Sequence, residues 1–260
     1  MDNTRESPPL NKEGHRAYRR LVGQCLWLSS VRRDIAYAVK ELSKFVHAPT
    51  QEDRTRGQHL LRYLVGTKDE KIHLCPTKAS TYTVVAYTDA DLAGCTASRK
   101  STSGGCLSLN GSIIHSWAKQ QETIADSSGE SEFIALVYAA KEVMYIRNVL
   151  EELGIVLTII PNIFIDSTVA MDMIKNNLKG RVKHLDRKYF WVRDYVKKGI
   201  FTIQKVLGTR NLADIFTKYV DKTTLDILRP AVMGRESPPI NPPSGVLPHT
   251  DENCNLDEMD

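Results

Sequence analysis

Four acidic residues that lie far apart in the chain, Asp89, Glu132, Asp166 and Asp214, fall where the surrounding sequence predicts the ends of regular elements. In an α/β sheet such ends can converge on one edge, so four carboxylates from distant segments can share one cleft. Left alone they would repel. Hard divalent cations remove that repulsion, because Mg²⁺ takes oxygen ligands, keeps several waters, and is held by few carboxylates plus substrate phosphate. Two such ions roughly 3.5 to 4 Å apart can activate a water and stabilise the leaving oxygen of an in-line phosphodiester displacement. The residue types suit this chemistry without establishing it, since each acid also has a plain structural use. Asp is common in turns after strands, Asp214 can pair with Asn211 to start a helix, and Glu130 suits the helix cap better than Glu132 does.

The elements that must hold these acids can be read from periodicity and punctuation. Tyr82 to Thr88 is rich in Val, Tyr and Thr and predicts a strand that Asp89 follows. Gly104 to Leu109, the Asn110-Gly111 turn and Ser112 to Trp117 predict a hairpin, giving three antiparallel strands. Ser127-Ser128-Gly129-Glu130 opens as a capping box, and Phe133, Leu136, Val137, Ala140, Met144 and Leu150 carry one long amphipathic helix to Gly154. Ile163-Phe164-Ile165 is a buried strand reached by a crossover helix, hence parallel to a neighbour and closed by Asp166. Asp186 to Lys198 predicts a helix ended by Gly199, Phe201 to Val206 a strand, and Leu212 to Leu228 a last helix opened by Asp214. The expected class is α/β, with a mixed five-stranded sheet, three strands antiparallel and then parallel ones, flanked by helices.

At 260 residues and 42% hydrophobic content, the chain can bury the core of one ordinary domain plus a smaller unit. The smaller unit is helical and spans residues 1–75. Leu21, Cys25 and Leu28, then Ile35, Val39, Leu42 and Phe45, repeat at helical spacing, and Leu60, Leu61 and Leu64 add a short third helix closed at Gly66-Thr67. The sheet domain is expected over 80–228. From 229 to 260, six prolines between Pro230 and Pro248 precede an acidic end, the composition of a disordered tail. The five cysteines form no C-x-x-C pair and no zinc-ligand spacing, which speaks against a disulfide framework or structural zinc and for a reducing compartment. Leu21 to Val31 is too short and too polar to span a bilayer, and Met1 to Pro9 has no apolar signal core, so no membrane partner is expected.

The formal net charge of +4 is unevenly spread. Eleven Lys and Arg between Lys175 and Arg210 face only Asp186 and Asp194. Such a run is either a solvated face or a surface that neutralises phosphates by counterion release. Its interleaved aromatics, Tyr189, Phe190, Trp191 and Tyr195, suit a helix core better than base stacking. Arg99, Lys100, Ser101 and Thr102 precede the hairpin and can offer donors to backbone phosphates, or form an ordinary polar loop. Gly104-Gly105 lacks the spacing and the following Lys-Ser/Thr of a P-loop.

The wording around the acids resembles the ribonuclease H region of copia-type LTR retrotransposon Pol polyproteins. Six blocks occur in order: Tyr87-Thr88-Asp89-Ala90-Asp91-Leu92-Ala93-Gly94, Arg99-Lys100-Ser101-Thr102-Ser103-Gly104, Ser127-Ser128-Gly129-Glu130-Ser131-Glu132-Phe133, Ile165-Asp166-Ser167, Lys183-His184-Leu185-Asp186, and Ala213-Asp214-Ile215-Phe216-Thr217-Lys218. Upstream, Tyr18 to Gly23, Arg33 to Val39 and Leu61 to Thr67 look like the stretch joining that family's reverse transcriptase to this domain. No Tyr-x-Asp-Asp polymerase motif is present.

The resemblance implies a ribonuclease H-like fold and a two-metal endonuclease that hydrolyses the RNA strand of RNA–DNA hybrids during reverse transcription. It implies Mg²⁺, or Mn²⁺ in its place, with Asp89 bridging both ions, Glu132 and Asp166 on one side and Asp214 on the other. Asp91 is then a neighbour and not a ligand. Implied partners are the hybrid and the reverse transcriptase portion of the same polyprotein, in a cytoplasmic virus-like particle or in the nucleus. Candidate hybrid contacts are Arg99, Lys100, Ser101, Thr102, Lys183, His184, Arg187 and Lys188, reading A-form shape and 2′-hydroxyls instead of bases. The sequence departs from the family at Leu92, where Trp is common, at Gly129 and Ser131, and at Ser167-Thr168, where Asn-Gln is common. No loop histidine like that of bacterial ribonucleases H stands near Asn211, and His184 is the nearest candidate by motif. Two other functions fit part of the pattern. One is a catalytically inactive or domesticated nucleic-acid-binding relic, which gains nothing from a repulsive acid cluster. The other is integrase-type strand transfer, which uses three carboxylates and usually a zinc-binding region that this sequence lacks.

Overall fold

The computed structural model describes residues 7–74, 81–175 and 186–236, without the side chains of Lys175 and residues 186–189. Five strands form one sheet in the order β3-β2-β1-β4-β5: β1 (Val84–Asp91), β2 (Thr102–Leu109), β3 (Ser112–Gln120), β4 (Asn162–Ile165) and β5 (Thr202–Lys205). β1 pairs antiparallel with β2 and β2 with β3, while β4 lies parallel to both β1 and β5. The mixed sheet expected from the sequence is therefore present in both strand number and sense. Asn110 and Gly111 both have positive φ (49° and 82°), as the tight turn between β2 and β3 requires.

Alternation along β1 gives the sheet two covered faces. Val84 and Ala86 point with Leu107, Ile163 and Ile165 into a core shared with α4 (Ser128–Glu152), α5 (Thr168–Lys175) and α6 (Asp186–Lys197). Val85 and Tyr87 point the other way, with Cys106 and Phe164, against α7 (Asp214–Thr217) and α8 (Lys222–Val232). Trp191 and Tyr195 pack on the first core beside Phe201, in line with their expected structural use, whereas Phe190 is exposed.

The helical unit has its own core. α1 (Lys12–Leu28), α2 (Ala36–Ser43) and α3 (Gln51–Gly66) bury Tyr18, Val22, Cys25, Ile35, Val39, Leu42 and Leu60 together. The third helix is longer than expected because Thr50 and Asp53 form a capping box well upstream of the leucines. Among the described residues no helix is long and apolar enough to cross a membrane.

Three boundaries differ from the sequence reading. Asp89 lies within β1 and not after it, since pairing with β2 continues through Asp89↔Gly104, Ala90↔Ser103 and Asp91↔Thr102. The single last helix, expected over Leu212 to Leu228, is two. Lys218 is extended (φ −143°, ψ 166°), and Asp221 caps α8 by accepting from the Thr224 amide at 2.7 Å. Residues 229–233, expected to belong to the tail, are part of the fold instead, because α8 runs through Pro230 and Ala231, Val232 and Met233 are buried. Residues 237–260, on which the disordered-tail expectation rests, lie outside the described residues.

Candidate active site

Three of the four acids meet. One carboxylate oxygen each from Asp89, Asp166 and Asp214 lies within 4.8 Å of the others. β1 and β4 are parallel neighbours, so Asp89 near the end of one and Asp166 just past the end of the other arrive at the same sheet edge. α7 brings Asp214 over that edge, and it can approach because Gly104 has no side chain. A Cβ at Gly104 would stand 2.5 Å from Thr217 Cγ2 and 2.7 Å from the Phe216 carbonyl carbon.

Glu132, the fifth residue of α4, does not belong to that 4.8 Å group, yet it borders it. Burial, then Asp89 and Asp166, push its carboxyl up to about 9, against the Ala90 amide that hydrogen-bonds to it. The opening of α4 is fixed from two sides. Ser127 accepts from the Glu130 amide at 3.2 Å, and Gln121 Nε2 donates to both Ser103 Oγ and the Ser131 carbonyl at 2.9 Å. The Glu130 carboxylate accepts from the Asp126 amide at 2.9 Å, so Glu130 is the structural acid of the pair.

The other acids feel the same crowding. Burial and Asp89 raise Asp166 in spite of Lys218 and Asn211, and they raise Asp214 to about 6 although Lys218 Nζ lies 2.9 Å from its Oδ2. An ion pair ordinarily lowers a carboxyl, so here burial and the neighbouring acid outweigh the ammonium. The same ammonium lies 3.9 Å from Asp89 Oδ2. Burial would lower Lys218, but Asp214, Asp89 and Asp166 together raise it. Lys218 is thus a cation drawn into an acid cluster. Glu132 Oε2 and Asp214 Oδ1 remain buried without a hydrogen-bond partner. Orphaned carboxylate oxygens facing an all-oxygen donor set fit a hard divalent cation.

Sequence reasoning missed three residues here. Thr217 Oγ1 donates to Asp89 Oδ2 at 2.6 Å, Lys218 reaches Asp214 and Asp89, and Asn211 Nδ2 donates to the Thr88 carbonyl at 3.3 Å. A signal for Lys218 was available in its spacing of four from Asp214, which places the two on one helix face.

Of the residues expected to contact nucleic acid, Arg99 is exposed and Lys100 half-buried. Ser101 and Thr102, also expected among these contacts, are buried and hydrogen-bonded within the protein. Ser101 Oγ accepts from the Ala93 amide at 3.1 Å, and Thr102 begins β2 and accepts from Lys40 Nζ at 2.7 Å. Lys183 and His184 lie outside the described residues, and Arg187 and Lys188 fall in the first turn of α6. Asp91 is half-buried at the end of β1 and outside the group formed by Asp89, Asp166 and Asp214.

Sheet order, strand sense and the acids at the sheet edge define a ribonuclease H-like domain. No family model matches the chain. It is 36% identical over 207 residues to the retrovirus-related Pol polyprotein from transposon RE1 of Arabidopsis thaliana, covering 79% of this chain and 14% of that protein. Against the corresponding polyprotein from transposon TNT 1-94 of Nicotiana tabacum it is 33% identical over 217 residues, 83% of this chain and 16% of that one. Over about four-fifths of its length the chain is similar to the retrovirus-related Pol polyproteins of transposons, and it spans only a small part of theirs. Among solved structures, LC11-RNase H1 in complex with RNA/DNA hybrid aligns with a TM-score of 0.40 at 13% identity, over 52% of this chain and 93% of that one. A foamy viral protease-reverse transcriptase aligns with a TM-score of 0.45 at 12% identity, over 78% of this chain and 33% of that one.

Proposed function

We propose that this domain hydrolyses the RNA strand of an RNA–DNA hybrid with two divalent cations, Mg²⁺ or Mn²⁺, during reverse transcription of a retrotransposon. The observation that carries the reading is the meeting of Asp89, Asp166 and Asp214 within 4.8 Å beside a buried Glu132. Repulsive carboxylates in one cleft cost stability and serve a nuclease, whereas a protein that only binds nucleic acid has no use for them.

Asp89, Glu132, Asp166 and Asp214 would hold the ions, which when bound activate water and offset charge on the leaving oxygen. The chain's own groups prepare that site. Thr217 holds one oxygen of Asp89 and so orients the other. Asn211 ties the Thr88 carbonyl to the turn before α7, fixing the distance between β1 and Asp214. Lys218 balances the charge of Asp214 and Asp89 and can follow that charge as it changes. Glu132, protonated at neutral pH before a cation arrives, has a proton to release as one binds.

Arg99 and Lys100 offer phosphate contacts, and the reverse transcriptase portion of the same polyprotein is the partner that delivers the hybrid, in a cytoplasmic particle. The test is cleavage of a labelled RNA–DNA hybrid with Mg²⁺, set beside duplex DNA and DNA ends. Asp89→Asn should reduce hybrid cleavage to background while leaving hybrid binding within about twofold, because the basic residues that neutralise phosphates are unchanged. Unchanged turnover in that variant sinks the assignment, and incision of DNA ends alone would favour strand transfer.

A further inference from the structure

α2 stands against β3 and α7 from outside the sheet domain. Lys40 Nζ donates to Thr102 Oγ1 at 2.7 Å, and Thr102 is the register partner of Asp91. The same ammonium lies 4.8 Å from the centre of the Tyr37 ring. Tyr37 is 8% exposed and meets the Tyr219 ring edge-on, with centroids 5.0 Å apart and planes at 88°. Tyr219 directly follows Lys218, is itself 71% exposed, and among the described residues its ring contact is with Tyr37.

The segment carrying Lys218 needs such a hold. It joins α7 to α8 in extended form, and beside it lies a cavity of about 830 Å³ whose wall includes Tyr37, Lys218 and Tyr219. A linker next to open volume can retreat into it. A Lys on a four-carbon stem then loses its aim at Asp214 and Asp89.

We propose that Tyr37 is a positioning residue for the nuclease site: its ring fixes Tyr219 and thereby Lys218 against Asp214 and Asp89, making the helical unit a working part of the nuclease. The effect on turnover rests on the nuclease reading given above, while the hold on Lys218 rests on geometry alone. Tyr37 is too buried to touch a hybrid, so its loss acts on the chemical step and not on binding.

The experiment uses the full chain with Tyr37→Ala, Tyr37→Phe and Tyr219→Ala, the last at an exposed ring that the fold does not need. Two readouts are taken, hydrogen–deuterium exchange of residues 217–220 and steady-state cleavage of a hybrid with Mg²⁺. Both alanine variants should exchange faster at 217–220 with the strands unchanged, and should lose about tenfold in kcat with KM within about twofold. Tyr37→Phe keeps the ring contact and should match the wild type. Unaltered exchange at 217–220 overturns the proposal, as does a loss of protection spread evenly through β1 to β5, which marks a purely structural role. A wild type that cleaves nothing sinks the nuclease reading, and the exchange readout still decides whether α2 positions Lys218.

Discussion

Thr217 and Asp89, 128 residues apart, are joined by a 2.6 Å hydrogen bond from the Thr217 hydroxyl to Asp89 Oδ2, wholly shielded from solvent at the threonine. A bond to an ionised group is worth about 1.5 to 3 kcal/mol, and this one sets which way the central acid points. Thr217→Val removes the donor at nearly constant volume. Its kcat on a hybrid should fall about ten- to a hundredfold, while Thr217→Ser retains most activity. Steady-state kinetics of the two variants decide, and equal rates would show that Asp89 needs no such partner.

The acid cluster makes metal-free stability depend on pH. Glu132 is raised to about 9, Asp214 to about 6, and Asp166 is raised as well. Between the unfolded carboxylate range, about 4, and these folded values, the native state holds protons that the unfolded chain has released. Stability should therefore fall as pH rises from about 4 to about 9. Bound cations favour the ionised acids, so Mg²⁺ should stabilise more at pH 8 than at pH 5. Melting curves with chelator and with Mg²⁺ across this range provide the check, and a metal-free Tm that climbs from pH 5 to pH 8 contradicts it.

Gly104 governs how closely α7 approaches β2. In Gly104→Ala the new methyl meets Thr217 Cγ2 and the Phe216 backbone inside contact distance, and backbone yields less readily than a side-chain tip. A loss of about 1 to 3 kcal/mol in unfolding free energy is expected, with weaker Mg²⁺ binding because Asp214 moves off. Denaturant melts and metal titration calorimetry measure the two effects separately.

The loop before β2 divides into outward and inward residues. Its backbone closes on itself through Arg99 N–H to the Cys95 carbonyl at 2.7 Å and Cys95 N–H to the Lys100 carbonyl at 3.2 Å. Arg99→Ala should weaken hybrid binding and reduce the slope of log affinity against log salt by about 1. Ser101→Ala should instead lower Tm with hybrid affinity nearly unchanged. Anisotropy titrations at several salt concentrations distinguish the two, and equal effects from both variants would void the division.

Much of this was legible before any coordinates. Strand number and sense followed from alternation, the Asn110-Gly111 turn and the short apolar run at Ile163 to Ile165, because all three are local signals with one physical meaning. The acids Asp89, Asp166 and Asp214 stood out at predicted element ends and in family wording, and they do converge. What local pattern could not supply was pairing. Whether Asp89 ends β1 or sits inside it depends on β2 reaching Thr102, a contact made across the sheet. The burial of Ser101 and Thr102 depends on the same pairing across the sheet. Lys218 and Tyr219 read as helix because their propensities allow it, and the extended break at Lys218 arises where the side chain turns toward Asp214.

Met233 accepts from the His73 amide at 2.8 Å, and Arg235 pairs with Glu70 at 2.7 Å, so the end of the helical unit is buckled to the stretch after α8. The sheet domain is thereby enclosed between two clasped strands of chain, and pulling on either one loads the other.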